Sequence, residues 1–402
     1  MKIEKVSFVN KEGFTLSGTL YLPLDEKPRF YAIFAHCFTC SQNFKAPSTI
    51  SEMLMQLGVA VLSFDFSGLG SSEGEFEDTG FSSNIEDLIS ADTFLRTHYQ
   101  APQMLIGHSL GGTAAVFAAS QLDHIKAVVT IGSPANPEHV KKLFESDLET
   151  IKREGSAEVS IGGRNFKIGK QFLDDLENRQ LEDFLPEMRK AFLFLHSPQD
   201  KIVSIDNAAE LYMNAHHPKS FISLDGADHL LSEEKESRYV GEVISSWSKK
   251  YFPMEVEEND LKGHQVKVRL FGESYTSEIK TPFHHLIADE PKEVGGENLG
   301  PTPYDLLMAS LGTCTVMTLK MYAERKKWKL DEIVVYLDHD KVHQEDSIEF
   351  EEPGSKISRF TRTLEIKGDL TPEIKERLLE IADKCPVHRT LTEEILIETK
   401  FK

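Results

Sequence analysis

The stretch Gln103-Met104-Leu105-Ile106-Gly107-His108-Ser109-Leu110-Gly111-Gly112-Thr113-Ala114-Ala115 decides the fold of the first part of the chain. Met104 to Ile106 is a short apolar run of the kind buried on both faces of a parallel sheet. Gly112 to Ala115 opens a helix of small residues. Between them stands G-x-S-x-G, which needs a strand before it and a helix after it, and here has both. The turn is so sharp that its flanking positions must be glycine. It lifts the Ser109 oxygen out of the sheet at a helix N-terminus, where the free amide of Leu110 points at developing negative charge.

Outward from this turn the same rhythm repeats. Tyr31–Ala35, Val59–Phe64, Ala127–Ile131, Phe192–Leu195 and Phe221–Leu224 are further strand-like runs, with helix-like stretches such as Ile85–Thr97 and Leu110–Ala119 between them. The order predicts a doubly wound α/β sheet. The interval 137–190 breaks it; this charged insertion, with a hairpin over Ala157–Lys167 turning at Gly162-Gly163, has the size of a lid. Past Trp247 the pattern changes, with a solvated linker over Glu255–Asp260. A strand is expected at Val266–Phe271 and a long apolar helix at Pro303–Lys327. Strands at Ile333–Leu337 and Phe360–Ile366 follow, then a helix at Pro372–Lys384 and a last strand at Glu394–Thr399. That is an α+β order, so two domains are predicted, 1–253 and 254–402.

A serine hydroxyl needs a base, and the base an orienting carboxylate. Both occur in the chain order Ser, Asp, His that this topology requires. Asp200 follows the Phe192–Leu195 strand and His229 follows Phe221–Leu224, each at a carboxyl end, where α/β sites assemble. Asp206, Asp225 and Asp228 are rivals. Adjacent side chains on an extended segment point apart, which disfavours Asp228 as the partner of His229. Together these residues predict a hydrolase that attacks a carbonyl through Ser109 and needs no cofactor.

The chain has 402 residues with a net charge of −20. Neither end carries a basic tail, which argues against nucleic acid and anionic membranes as partners. No apolar h-region follows Met1-Lys2-Ile3-Glu4-Lys5, and no run approaches ~18 uninterrupted apolar residues, so a cytoplasmic protein is expected. The four cysteines, Cys37, Cys40, Cys314 and Cys385, are too few for a disulfide scaffold and are expected as thiols. Cys37-x-x-Cys40 has redox spacing but lies in a loop of the sheet edge. Gly68-x-Gly70 lacks the third glycine of a dinucleotide loop at its required place and reads as a tight turn. The pairs His216-His217 and His284-His285 have no partner at ligand spacing, so no metal is expected.

Two resemblances add to this reading. His36-Cys37-Phe38-Thr39-Cys40-Ser41 resembles the His-Gly-Phe-x-Gly loop of serine esterases in the α/β-hydrolase family, with cysteine at both glycine places. With Asp65–Ser72, the Ser109 turn and the Asp200 and His229 segments, that resemblance covers residues 1 to about 250. It implies cleavage of small carboxylic esters through an acyl-enzyme, with the amides of Phe38 and Leu110 as oxyanion hole. From about 260 onward, Gly300–Cys314 and Lys384-Cys385-Pro386-Val387 resemble the two cysteine motifs of the OsmC/Ohr family. This implies an intertwined homodimer built through the C-terminal domain. It also implies, for the peroxidase members, a peroxidatic Cys314 and a resolving Cys385. Such members carry a glutamate where this chain has Tyr304, and an arginine in an early hairpin where Phe271–Tyr275 has none. These departures count against the peroxidase members' chemistry; the alternative readings are a thiol-dependent hydroperoxide reductase with an accessory hydrolase, or an OsmC-like domain that serves dimerisation alone.

Overall fold

A computed structural model describes residues 2–23, 28–37, 44–161, 164–177, 181–252, 261–270, 275–343 and 356–401. The chain forms two compact units, Met1–Lys262 and Gly263–Lys402. The sequence boundary at 253 precedes that division by nine residues (262 − 253), and the Glu255–Asp260 linker lies outside the described residues.

The first unit opens with two strands that the apolar-run pattern does not announce, β1 (Lys2–Val9) and β2 (Thr15–Leu22), paired antiparallel. β3 (Tyr31–Ala35), α1 (Lys45–Gln56), β4 (Ala60–Phe64), α2 (Phe81–His98), β5 (Pro102–His108), α3 (Leu110–Gln121) and β6 (Ala127–Ile131) follow. The insertion contributes α4 (Leu148–Glu154), the antiparallel pair β7 (Ser156–Ile161) and β8 (Arg164–Gly169), and α5 (Lys170–Glu177). The hairpin is as expected; its Gly162-Gly163 turn lies outside the described residues. β9 (Ala191–His196), α6 (Asp206–Asn214), β10 (Lys219–Ser223) and α7 (Glu234–Ser248) complete the unit.

Eight strands form one sheet in the order β1-β2-β4-β3-β5-β6-β9-β10. From β4 to β10 they run parallel, and β2 joins antiparallel. β3, β4, β6 and β9 are buried at every residue. That explains their unalternating apolar sequences, because helices cover both faces of a parallel sheet. Two apolar clusters correspond to the two faces: one holds Leu105, Phe64 and Phe192 with α2 and α3, the other Ile106, Phe34 and Leu193 with α1 and α7. Asp175 of α5 accepts hydrogen bonds from the Ser82 amide (2.5 Å) and hydroxyl, tying the insertion to the N-terminus of α2.

The second unit contains a three-stranded antiparallel sheet of β11 (Lys267–Leu270), β12 (Ser277–Lys280) and β13 (His285–Ala288). Most of the early hairpin, 271–274, lies outside the described residues. α8 (Pro303–Lys326) is the predicted long helix. Thr302 and Asp305 exchange hydrogen bonds at its start, Pro303 opens it, and Lys327 ends it at φ 61°. β14 (Leu330–His343) and β15 (Lys356–Gly368) pair antiparallel and run longer than the apolar segments suggested. α9 (Pro372–Ala382) and α10 (Pro386–Thr392) follow. The expected last strand, Glu394–Thr399, is not one: among the described residues the segment has no ladder partner, and it is exposed throughout. Its apolar residues suit a strand, but a strand exists only where a neighbour supplies the hydrogen bonds.

Candidate active site

Ser109 stands between β5 and α3 at φ 55°, ψ −131°, a conformation that a non-glycine residue rarely adopts. Its surroundings over-determine it. The Ser109 amide donates to the Ile131 carbonyl at 2.8 Å, and the Gly112 amide returns to the Ser109 carbonyl at 2.9 Å. A Cβ at Gly107 would lie 2.3 Å from the Gly111 carbonyl oxygen, and one at Gly111 would lie 2.2 Å from that of His36. The flanking glycines are thus required by close backbone approach on both sides.

The predicted acid and base converge on this serine. His229 Nε2 is 3.1 Å from Ser109 Oγ, and His229 Nδ1 is 2.7 Å from Asp200 Oδ2. The second distance fits an N–H donating to a carboxylate, which leaves Nε2 bare and facing the hydroxyl. The Asp200 side chain is almost wholly buried, and its other oxygen accepts the amides of Ile202 (2.8 Å) and Val203 (2.9 Å). Burial alone would push this carboxyl up. The His229 hydrogen bond and charge, with the two amides, hold it below the usual carboxylate range instead.

The rival acids are engaged elsewhere. Asp228 Oδ1 accepts the Ser232 amide at 2.8 Å, Asp225 takes Gln199 Nε2 at 3.0 Å, and Asp206 takes the Ser204 hydroxyl at 2.9 Å. Leu110 heads α3 and is buried, with its amide at the helix N-terminus. Phe38 and Cys40 lie outside the described residues. Cys37 is disulfide-bonded, contrary to its expected thiol form; the expectation came from cysteine count, which says nothing about a local pair.

A cleft of about 400 Å³ opens beside His229, lined by Gln199, Lys201, Ile202, Asp228 and Leu230 among others. His139, on the first turn of the insertion, feels the charges of Asp200 and His229; burial and Lys142 hold its pKa down. Sequence reasoning passed over three buried histidines around the triad, His36, His108 and His196. Each stands at or directly after the end of a strand in the sheet, a position that by itself does not say what the ring will meet.

In the second unit both cysteines are free. Cys385 is buried at the start of α10, where its sulfur accepts the His388 amide (3.3 Å) and meets the Thr315 hydroxyl at 3.7 Å. Thr315, which follows the half-exposed Cys314 along α8, turns its hydroxyl toward Cys385. Arg362 on β15 donates to Thr315 Oγ1 at 2.9 Å and pairs with Asp383 at 2.6 Å. Tyr304, in the place of the family glutamate, stacks on His339 at 4.3 Å. Of the histidine pairs, His285 contacts Glu278 and His216 bonds the His217 carbonyl. Among the described residues no group of three metal-ligating side chains assembles.

Comparison with known proteins agrees with the two halves. A family model described as serine aminopeptidase, S33, matches residues 41–153, and one described as OsmC-like protein matches residues 295–400. The monoglyceride lipase of Rattus norvegicus is 26% identical over 233 residues, 49% of this chain and 76% of that protein. The palmitoyl-protein thioesterase ABHD10 of the same species is 31% identical over 114 residues, 28% of this chain and 37% of that protein. The crystal structure of the esterase domain of a Rhodothermus marinus protein is 48% identical, with a TM-score of 0.53. It covers 62% of this chain and 99% of its own. With that domain matched along its whole length, the chain belongs to the α/β-hydrolase family through its first unit and carries an OsmC-like domain as its second.

Proposed function

We propose that the protein is a serine esterase that cleaves small carboxylic esters through an acyl-enzyme. One observation carries this reading: the unbroken line of hydrogen bonds from Asp200 through His229 to Ser109, 2.7 Å and 3.1 Å long, at a strained strand-to-helix turn. Ser109 Oγ attacks the ester carbonyl while His229 Nε2 takes its proton, and Asp200 holds the imidazole in the tautomer that leaves Nε2 bare. The negative oxygen of the tetrahedral intermediate receives the Leu110 amide and, by the family resemblance, that of Phe38. His229 then protonates the leaving alcohol, and water repeats the sequence to release the acid.

A monoglyceride lipase and a palmitoyl-protein thioesterase among the relatives support an acyl group as the part recognised. The cleft beside His229 suits the leaving group, because that imidazole must reach the departing oxygen. The test is an ester and thioester panel run on wild type and Ser109→Ala, with fluorophosphonate labelling in parallel. Turnover and labelling that both vanish in the variant support the reading; turnover that survives in Ser109→Ala overturns it.

For the second unit we propose homodimerisation. α8 is long and apolar enough by composition to cross a membrane, yet packs on α9 and β14 with only a third of its most apolar window buried. Met317, Met321, Leu379, Leu396 and Ile397 remain exposed. A second copy would cover such a surface.

A further inference from the structure

Three strands of the sheet run out into histidine at the edge where the triad sits. His36 directly follows β3, His108 ends β5 and His196 ends β9. Their exposures are 0%, 3% and 1%. Each places one ring nitrogen on one backbone carbonyl. His36 Nδ1 lies 2.8 Å from the carbonyl of Cys37, His108 Nε2 lies 2.7 Å from that of His229, and His196 Nε2 lies 2.9 Å from that of Val203. A carbonyl offers only lone pairs, so the nitrogen facing it carries the proton. At His36 the opposite nitrogen faces the Phe66 amide at 3.4 Å, which requires that nitrogen to be bare. Burial lowers the pKa of all three, that of His108 to about 3. Each is therefore a neutral ring with a single N–H, and that N–H goes to a loop.

The loops so held are those that carry the chemistry. His108 is covalently joined to Ser109 and hydrogen-bonded to the backbone of His229. The Ser109–His229 distance is thus closed into a ring: one peptide bond, one imidazole bond to the base's own carbonyl, and the reacting pair. The Val203 residue held by His196 donates its amide to Asp200 Oδ1. The two contacts flank the Val203 Cα, on successive peptides, so holding the carbonyl restrains the amide that meets the carboxylate. His36 holds the carbonyl of Cys37, the residue that precedes Phe38 in the sequence.

We infer that His36, His108 and His196 are positioning residues, a layer of neutral imidazoles beneath the triad whose single N–H groups set the backbone of the oxyanion, base and acid loops. The inference rests on the serine-esterase reading. It also distinguishes these side chains from volume-filling core histidines, because the nitrogen that matters differs among them. A glutamine puts an amide donor near the place of Nε2, an asparagine near that of Nδ1.

The test measures kcat and KM for p-nitrophenyl butyrate, and the rate of Ser109 labelling by a fluorophosphonate, in His→Gln, His→Asn and His→Leu variants at each position. At 108 and 196, glutamine should keep kcat and labelling within ~5-fold, while asparagine and leucine lose ~10²-fold with KM little changed, since ~1 Å of displacement costs about that much. At 36 the order reverses and asparagine rescues. Equal behaviour of the two amides, or one preference shared by all three positions, overturns the inference while leaving the esterase reading intact. A wild type that the phosphonate does not label overturns both. Should a variant fail to fold, ¹⁵N-histidine spectra of the wild type decide the matter. They should contain buried neutral rings of both tautomers, Nε2–H for His108 and His196 and Nδ1–H for His36, and the opposite tautomers would overturn it.

Discussion

Ser109 holds a positive φ although it has a side chain, and strain of that kind persists only where neighbours compel it. The compelling contacts are backbone to backbone, so removing the hydroxyl should leave the turn in place. Ser109→Ala is therefore expected to fold normally and to lose ester turnover by ~10³-fold or more, as should His229→Ala, because neither partner works alone. Asp200→Asn should be comparably severe through the wrong imidazole tautomer, while Asp206→Asn stays near wild type; the reverse ranking in the same assay would move the acid to Asp206. This choice was legible in the sequence from chain order and from the extended geometry that turns Asp228 away from His229. The three supporting histidines were not legible, since nothing in a single buried histidine says which carbonyl the fold will bring to it. Nor was the state of Cys37, which the cysteine count led us to expect as a thiol. Because that sulfur is in a disulfide, the ester turnover of untreated protein should resist iodoacetamide even though the free Cys314 can react. After reduction, alkylation beside the predicted Phe38 donor should lower turnover by ~10²-fold. Full inhibition without prior reduction would show that Cys37 is a thiol in solution.

At the scale of elements, the parallel strands were read from uninterrupted apolar runs because full burial removes the alternation that would otherwise mark them. β1 escaped for the opposite reason: at the sheet edge Lys2, Glu4 and Lys5 face solvent or the rim, and the remaining pattern is too sparse. The last predicted strand failed because pairing is not a local property. The carboxyl edge of the sheet also sets how the first unit responds to acid. His36, His108 and His196 have folded-state pKa values below the ~6.5 of an unfolded histidine. The unfolded chain then binds more protons than the folded one below that value, so the stability is complete above about pH 6.5 and falls as the pH drops through it, for His108 down to about 3. Asp200, also lowered, gives its contribution above ~3.9 and loses it only on further acidification. Histidine protonation thus comes first. Between pH 7 and 5, His108 alone should cost ~2 kcal/mol. Urea unfolding followed by loss of phosphonate labelling should show the decline, and His108→Gln should flatten it by about that amount. Parallel pH dependences in wild type and variant would show that His108 is not the group responsible.

At the scale of the whole molecule, two units with separate cores carry two unlike sets of nucleophiles. The second unit was legible as a distinct domain because its element order lacks the βαβ repeat, and its long helix because caps and composition agree. What a single chain does not reveal is the partner of an apolar face. Covering Met317, Met321 and the exposed tail should make the full-length protein a dimer at micromolar concentration, and a monomer by light scattering would contradict that. The two chemistries should nevertheless be independent. Serine catalysis proceeds without redox change, and the Cys385 sulfur is occupied by Thr315 and the His388 amide of its own unit. Cys314→Ser and Cys385→Ser should each leave ester turnover within about threefold of wild type, since changes at distant sites couple weakly. The double variant gives the sharper measurement. Reduced and alkylated beside wild type, it should lose ester turnover to the same extent, because the sensitive sulfurs are then those flanking Phe38, Cys37 or Cys40. If the double variant instead escapes inhibition, the thiols of the OsmC-like unit govern the triad, and the two halves form one regulated enzyme rather than two sites on one chain.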